Sequence, residues 1–170
     1  MPVTATRPRR RFDVATTTLA FESGGRTCRG RLYRPDRPAT PPVLVLGADF
    51  AAEGSFGYRR YAERFARAGY AAFVFDYRAV GESDGEPRNL VDHAGQVADW
   101  NAAVDRVRTL GGERRRVVPW GFGLGGGHAV RVAANRPVAA VVAVAPLLDG
   151  RAFARARSPR YLARAVGAGL

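Results

Sequence analysis

The chain is poor in the residues on which many functions depend. Its one cysteine, Cys28, excludes any disulfide within the chain. That thiol lies in the alternating stretch Thr27 to Tyr33, which suits a small core or surface residue rather than a nucleophile. There are two histidines, His93 and His128. They are not at metal-ligand spacing and have no cluster of Cys, His or Asp around them, so neither a metal nor another cofactor is expected. No apolar run reaches the roughly 18 residues of a membrane span. No apolar segment follows the basic start Met1 to Arg11, so a secretory signal is not expected and a cytoplasmic setting is.

Lysine is missing altogether: all 27 basic residues are arginine, against 15 acidic residues, for a net charge of +12. With the many alanines and glycines, this points to a compositional bias. Four arginines precede Asp13 and five follow Asp149, with no acid in either end. Between those ends eighteen arginines face fifteen acids, so the charge belongs mainly to the termini. Such tails attract nucleic acid or anionic lipid. No nucleic-acid-binding signature accompanies them, and solvated tails are the expectation.

A length of 170 residues suits one domain, and a chain of that size buries about 70% of its unfolded surface. The reading divides it into a flexible basic lead (1–12), a core (13–150) and an Arg-rich tail or start of a cap region (151–170). Strands are expected at 14–21 and 27–34, joined by the turn Ser23 to Arg26. Pro35 to Pro42 connects to a fully apolar strand, 43–47, and a second follows at 70–76. An amphipathic helix is expected from Tyr58 to Ala68, with Gly69 as its cap. A longer helix spans Val91 to Leu110. A short strand, 116–120, leads into a Gly-rich turn, and the next helix includes Ala129 to Ala134. Residues 138–145 (VAAVVAVA) form a last apolar strand, and 151–166 read as an Arg-rich helix broken at Pro159. Buried strands alternating with helices give an α/β fold, with a mostly parallel sheet of about six strands.

The most informative stretch is Trp120 to His128, WGFGLGGGH. A strand, a Gly-rich turn and a helix of small residues are the context of the nucleophile elbow G-x-S-x-G. The register here is Gly121-Phe122-Gly123-Leu124-Gly125. The outer glycines are present; the centre, where the attacking serine belongs, is Gly123.

From about Phe12 to Gly150 the chain resembles the α/β-hydrolase superfamily, in particular the branch of serine aminopeptidases and X-prolyl dipeptidyl peptidases. YAERFARAGYAAFVFDYRAVGESDGEPR (61–88) is similar to that branch's helix, fourth strand and following loop. WGFGLGGGH resembles its W-G-x-S-x-G-G-G-H elbow, and VAAVVAVAPLLDG (138–150) its sixth strand. The resemblance implies a serine hydrolase acting on ester, thioester or peptide bonds of a small acyl substrate. It also implies that Gly123 stands where the nucleophile should be. The family's third strand ends in H-G-F-G, whose amides help to hold the oxyanion; Ala48-Asp49-Phe50-Ala51 falls there. With Leu124 after the elbow, Ala48 and Asp49 are the oxyanion-loop positions. Asp49 brings negative charge to the place where negative charge must develop, the wrong sign for catalysis. The family's acid and histidine follow later strands than the sixth. The expectation is therefore a pseudoenzyme or truncated relative, with an active hydrolase using a displaced nucleophile or a partner-completed site as the alternative.

Four weaker candidates deserve naming. Ser55 follows the oxyanion loop and Ser83 lies in the loop after the fourth strand; each is more simply a turn residue. Asp76 ends a strand at the functional edge of the sheet, with pairing to Arg78 or loop capping as the plainer role. His128 sits on the helix leaving the elbow and His93 on the long helix, both suited to packing or surface roles. Pro119 is expected to delete a ladder hydrogen bond. Without a neighbour, the apolar strand 138–145 is an open edge. It suggests self-association, a partner chain that completes the site, or a non-enzymatic interaction module.

Overall fold

A computed structural model describes residues 11–37, 39–49, 57–110, 115–160 and 164. The sheet has six strands in the order β1-β2-β4-β3-β5-β6. β1 (Val14–Ser23) and β2 (Arg26–Pro35) form an antiparallel hairpin. β2 runs antiparallel to β4 (Ala71–Phe75), and β4, β3 (Val43–Gly47), β5 (Val117–Phe122) and β6 (Val142–Val144) run parallel. The central strands are short because they are buried on both faces: every residue of β3 and of β4 is buried.

The helices follow the sequence pattern. In α1 (Tyr58–Arg67) the inward positions are Tyr58, Ala62 and Ala66, and the arginines face outward. Tyr58, Tyr61 and Phe65 surround Trp120 of β5 on this face of the sheet, with ring centroids 6.2, 5.1 and 5.7 Å away. On the opposite face lie α2 (His93–Arg108) and α3 (Gly123–Asn135), packed against each other and against β3 and β5. Asp92 caps α2 by accepting from the Ala94 amide. α4 (Gly150–Arg155) is a single exposed turn-and-a-half capped by Asp149 and ends well before Pro159. The Arg-rich helix expected across 151–166 with a break at Pro159 is thus interrupted just before that residue, and helical geometry returns at Pro159 and Arg160.

A buried ion pair fastens α2 to the loop after β4. Arg78 reaches Asp99 through Nη2 and Nε, at 2.7 and 3.0 Å from Oδ1, and its backbone amide reaches Oδ2 at 2.9 Å. Asp99 is completely buried. The carboxylate therefore has its charge balanced and its lone pairs filled, the condition under which a buried charge is tolerated. This corrects the expected Asp76–Arg78 pairing: Arg78 turns to α2, and Asp76 accepts from the Glu82 amide at 3.1 Å as a loop cap.

One expectation fails at β6: the hydrogen-bonded strand is three residues long rather than the whole of 138–145, while its flank is open as expected, with Val141, Val142 and Val144 each 37–40% exposed. Parallel pairing with β5 begins only at Trp120 and Val142. Pro119 explains part of this. The Arg116 carbonyl faces β3 and the Val117 carbonyl faces the β6 side. By alternation the Pro119 nitrogen also points toward β6. It costs the β3–β5 ladder nothing, and the donor it lacks is on the side where β6 has yet to begin.

Removal of the Asp99 carboxylate tests the buried pair. Asp99→Ala is expected to cost about 3–5 kcal/mol, because it strands Arg78; urea unfolding measures it, and a loss below about 1 kcal/mol, the surface-pair range, would contradict the burial.

Candidate active site

Parallel α/β sheets place their functional loops at the carboxyl ends of the strands. Here β3 ends at Gly47 and is followed by Ala48 and Asp49, while β5 ends at Phe122 and is followed by Gly123. The two ends meet. Gly123 has φ +48° and is at once the first residue of α3, so the bend between strand and helix is made at this one residue. That is the left-handed conformation an elbow demands of its central position. The helix of small residues expected after the turn starts at Gly123 itself. Gly125 makes this possible, since a Cβ there would lie 2.6 Å from the carbonyl oxygens of Gly47 and Ala48. The elbow carbonyl is held in turn by the Leu147 amide at 2.8 Å.

The space beside Gly123 is filled. A Cβ built on Gly123 would fall against the Asp49 carboxylate, 2.6 Å from Oδ2 and 2.7 Å from Cγ, and nearer still to Oδ1. Asp49 Oδ1 accepts the Leu124 amide at 2.8 Å. That amide follows the elbow residue and belongs to the first turn of α3. The helix's own N-cap, Phe122, supplies no side-chain acceptor. Asp49 therefore caps α3 from another strand, on a donor that in a working elbow is left for the oxyanion. A capping acceptor of this kind contributes about 1 kcal/mol, and a negative charge at a helix N-terminus adds to it.

The surroundings hold this arrangement still. Trp100 Nε1 donates to the Tyr77 hydroxyl at 2.9 Å, which donates to the Ala48 carbonyl at 2.9 Å. Burial pushes the Tyr77 phenol far above its ordinary range, so it stays a neutral donor. Tyr58 lies beside Asp49; burial first, and then the Asp49 charge, push its phenol up to about 12.

The other candidates lie elsewhere or do other work. Ser83 is buried; its hydroxyl donates to the Asp76 carbonyl at 2.7 Å and accepts the Arg29 amide at 2.9 Å, which commits it to the loop. Ser55, with Phe50 and Ala51, falls outside the described residues. His128 is fully buried between α2 and α3, with Nε2 3.0 Å from Gln96 Oε1 and no partner on Nδ1. Its ring centroid is 4.8 Å from that of His93, the first residue of α2, and 6.0 Å from that of Tyr77. Burial, reinforced by the nearby His93 and Arg131, pulls its pKa down to about 4. Cys28 is buried and burial pushes its thiol up to about 12. Among the described residues no group of three or more His, Cys, Asp or Glu is arranged to hold a metal ion. No described helix is long and apolar enough to cross a membrane.

The fold and the elbow agree with what the chain resembles in known proteins. The model of the serine aminopeptidase S33 family matches residues 42–167. The chain belongs to this family of α/β hydrolases. Among its relatives, the quorum-quenching protein AidA of Acinetobacter baumannii is 37% identical over 158 residues, covering 92% of this chain and 52% of AidA. The polyketide transferase grgF of a Penicillium species is 33% identical over 152 residues, covering 88% and 49%. The crystal structure of GrgF superposes with a TM-score of 0.74 at 30% identity, over 79% of this chain and 47% of that one. The chain thus spans about half the length of the curated relatives it matches. The family assignment gives the elbow its meaning but was already implied by residues 120–128. The expectation that Asp49 brings its charge to the oxyanion positions takes concrete form as a hydrogen bond to the Leu124 amide, 75 positions away.

His128 makes a prediction about acid. It is neutral when folded down to about pH 4, whereas the unfolded ring takes a proton near 6.5. Stability is therefore complete above 6.5 and falls as the pH drops toward 4. By pH 5 this group alone should remove about 2 kcal/mol. Urea midpoints at pH 7 and pH 5 measure the loss, and His128→Gln should flatten it; an equal slope in the variant would assign the loss to other groups.

Proposed function

We propose that this chain is the core of a hydrolase-family protein that does not cleave acyl substrates by the family's serine route. The carrying observation is the Asp49 carboxylate, seated on the Leu124 amide and in the volume of a side chain at position 123. The elbow has lost its attacking atom, and its oxyanion donor is bonded to an internal anion. Loss of the nucleophile alone costs about 10⁶ in rate in a serine protease. What survives such a loss depends on the oxyanion donors, and here Asp49 holds the Leu124 donor.

The substrate class that the fold was built for is supported by the relatives, which include a quorum-quenching protein, a polyketide transferase and a thiohydrolase. It is that of small acyl esters or thioesters. A second reading, an interaction module, is favoured by one observation: Val141, Val142 and Val144 are exposed beside a strand whose outer edge pairs with nothing among the described residues. Such an edge suits strand addition by a second copy or a partner chain.

Short p-nitrophenyl esters and acyl thioesters should show no turnover above buffer, and Gly123→Ser alone should stay inactive while lowering the melting temperature. Turnover by the unmodified chain, with a fluorophosphonate label on any serine, Ser55 included, would defeat the proposal. Light scattering tests the second reading: association should rise with concentration, and a monomer at high concentration excludes pairing at β6.

A further inference from the structure

Two separate things distinguish this elbow from a working one. The attacking atom is absent, and a carboxylate occupies the site. The backbone itself has kept its bend, with φ +48° at Gly123, Gly125 packed against β3, and the Leu124 amide aimed at the place where an oxyanion would sit. An elbow that had simply lost its serine would leave that amide to solvent. This one gives it to Asp49, from the loop whose residues should have helped to hold the oxyanion.

The electrostatics follow from the geometry. An anion formed on a side chain at position 123 would be stabilised by the Leu124 amide and by the N-terminus of α3, a helix of 13 residues. With Asp49 in place both effects are spent on the carboxylate, and the anion also meets a like charge at contact distance. A like charge so close disfavours ionisation by roughly one to three pK units. Resting on the reading of Gly123 as the nucleophile position, we propose that Asp49 is a positioning residue that silences this elbow in its own right. A nucleophile restored at 123 stays protonated and is denied the Leu124 amide until the carboxylate is removed. Gly123 and Asp49 then form one interlocked pair, in which the missing side chain makes room for the carboxylate and the carboxylate bars the side chain's return.

A thiol reports this without requiring any catalytic partner. In Gly123→Cys, and in the same substitution combined with Asp49→Gly, the rate of alkylation by iodoacetamide is followed against pH. The thiolate sulfur displaces iodide from the CH₂ group, so the rate tracks ionisation. Cys28 does not interfere, being buried with its thiol pushed up to about 12, and peptide mapping separates the two sites. The single variant should have its midpoint at or above the ordinary thiol value of about 8.5. The double variant should titrate at least one unit lower and react roughly tenfold faster at pH 7. Equal midpoints overturn the proposal. Should Gly123→Cys fail to fold, Asp49→Ala in the otherwise native chain, which removes the acceptor, gives the second measurement. Hydrogen exchange at the Leu124 amide should quicken at least tenfold, and unchanged exchange overturns the proposal equally. Neither measurement involves turnover. Ester cleavage by the unmodified chain counts against the function proposed above, whereas equal midpoints count against Asp49 alone.

Discussion

A single charge-assisted hydrogen bond, from the Leu124 amide to Asp49 Oδ1 at 2.8 Å, joins the end of β3 to the start of α3. Much of the site's geometry is arranged around it. The strand-to-helix bend exposes an amide that no residue of its own helix can satisfy, since Phe122 stands at the N-cap. An acceptor must come from a substrate, from water or from elsewhere in the chain. A carboxylate fits best of all, because its charge also meets the positive end of the helix. Once Asp49 supplies it, position 123 has no room for a side chain, and glycine becomes the residue that fits both the space and the positive φ.

The rest of the core supports this contact. Ala48, next to Asp49, is fixed by the Tyr77 hydroxyl, which Trp100 fixes in turn from α2. The Arg78–Asp99 pair ties that same helix to the loop after β4, where Ser83 and Asp76 are spent on backbone groups. Side chains that could pass for catalytic candidates in a list are committed to holding loops in place. His128 packs between α2 and α3 as a neutral ring, with burial and two basic neighbours opposing its charge. The hydroxyls and carboxylates named here serve structure.

Membership in a hydrolase family settles the architecture and leaves the chemistry to particular atoms. Relatives more than 30% identical carry names as different as quorum-quenching protein, polyketide transferase and thiohydrolase. What the superposed relative shares with this chain is the fold, at a TM-score of 0.74 over 79% of it.

The sequence by itself determined the layering, because apolar runs such as 43–47 and 71–75 can only be strands buried on both faces, and the spacing in 58–67 can only face one side of them. It determined the elbow as well, since the glycines around position 123 have a local steric cause. It misjudged the length of β6, whose pairing depends on neighbours outside the strand, and it left pairing with Arg78 open beside the loop cap that Asp76 makes, because the partner of Arg78 is 21 positions away. The tertiary structure alone decided what the elbow's empty centre means. Gly123 and Asp49 each stand out in their own segments, but only the parallel pairing of β3 with β5 brings that carboxylate onto the Leu124 amide, and hydrogen bonds between distant residues leave no periodicity to read.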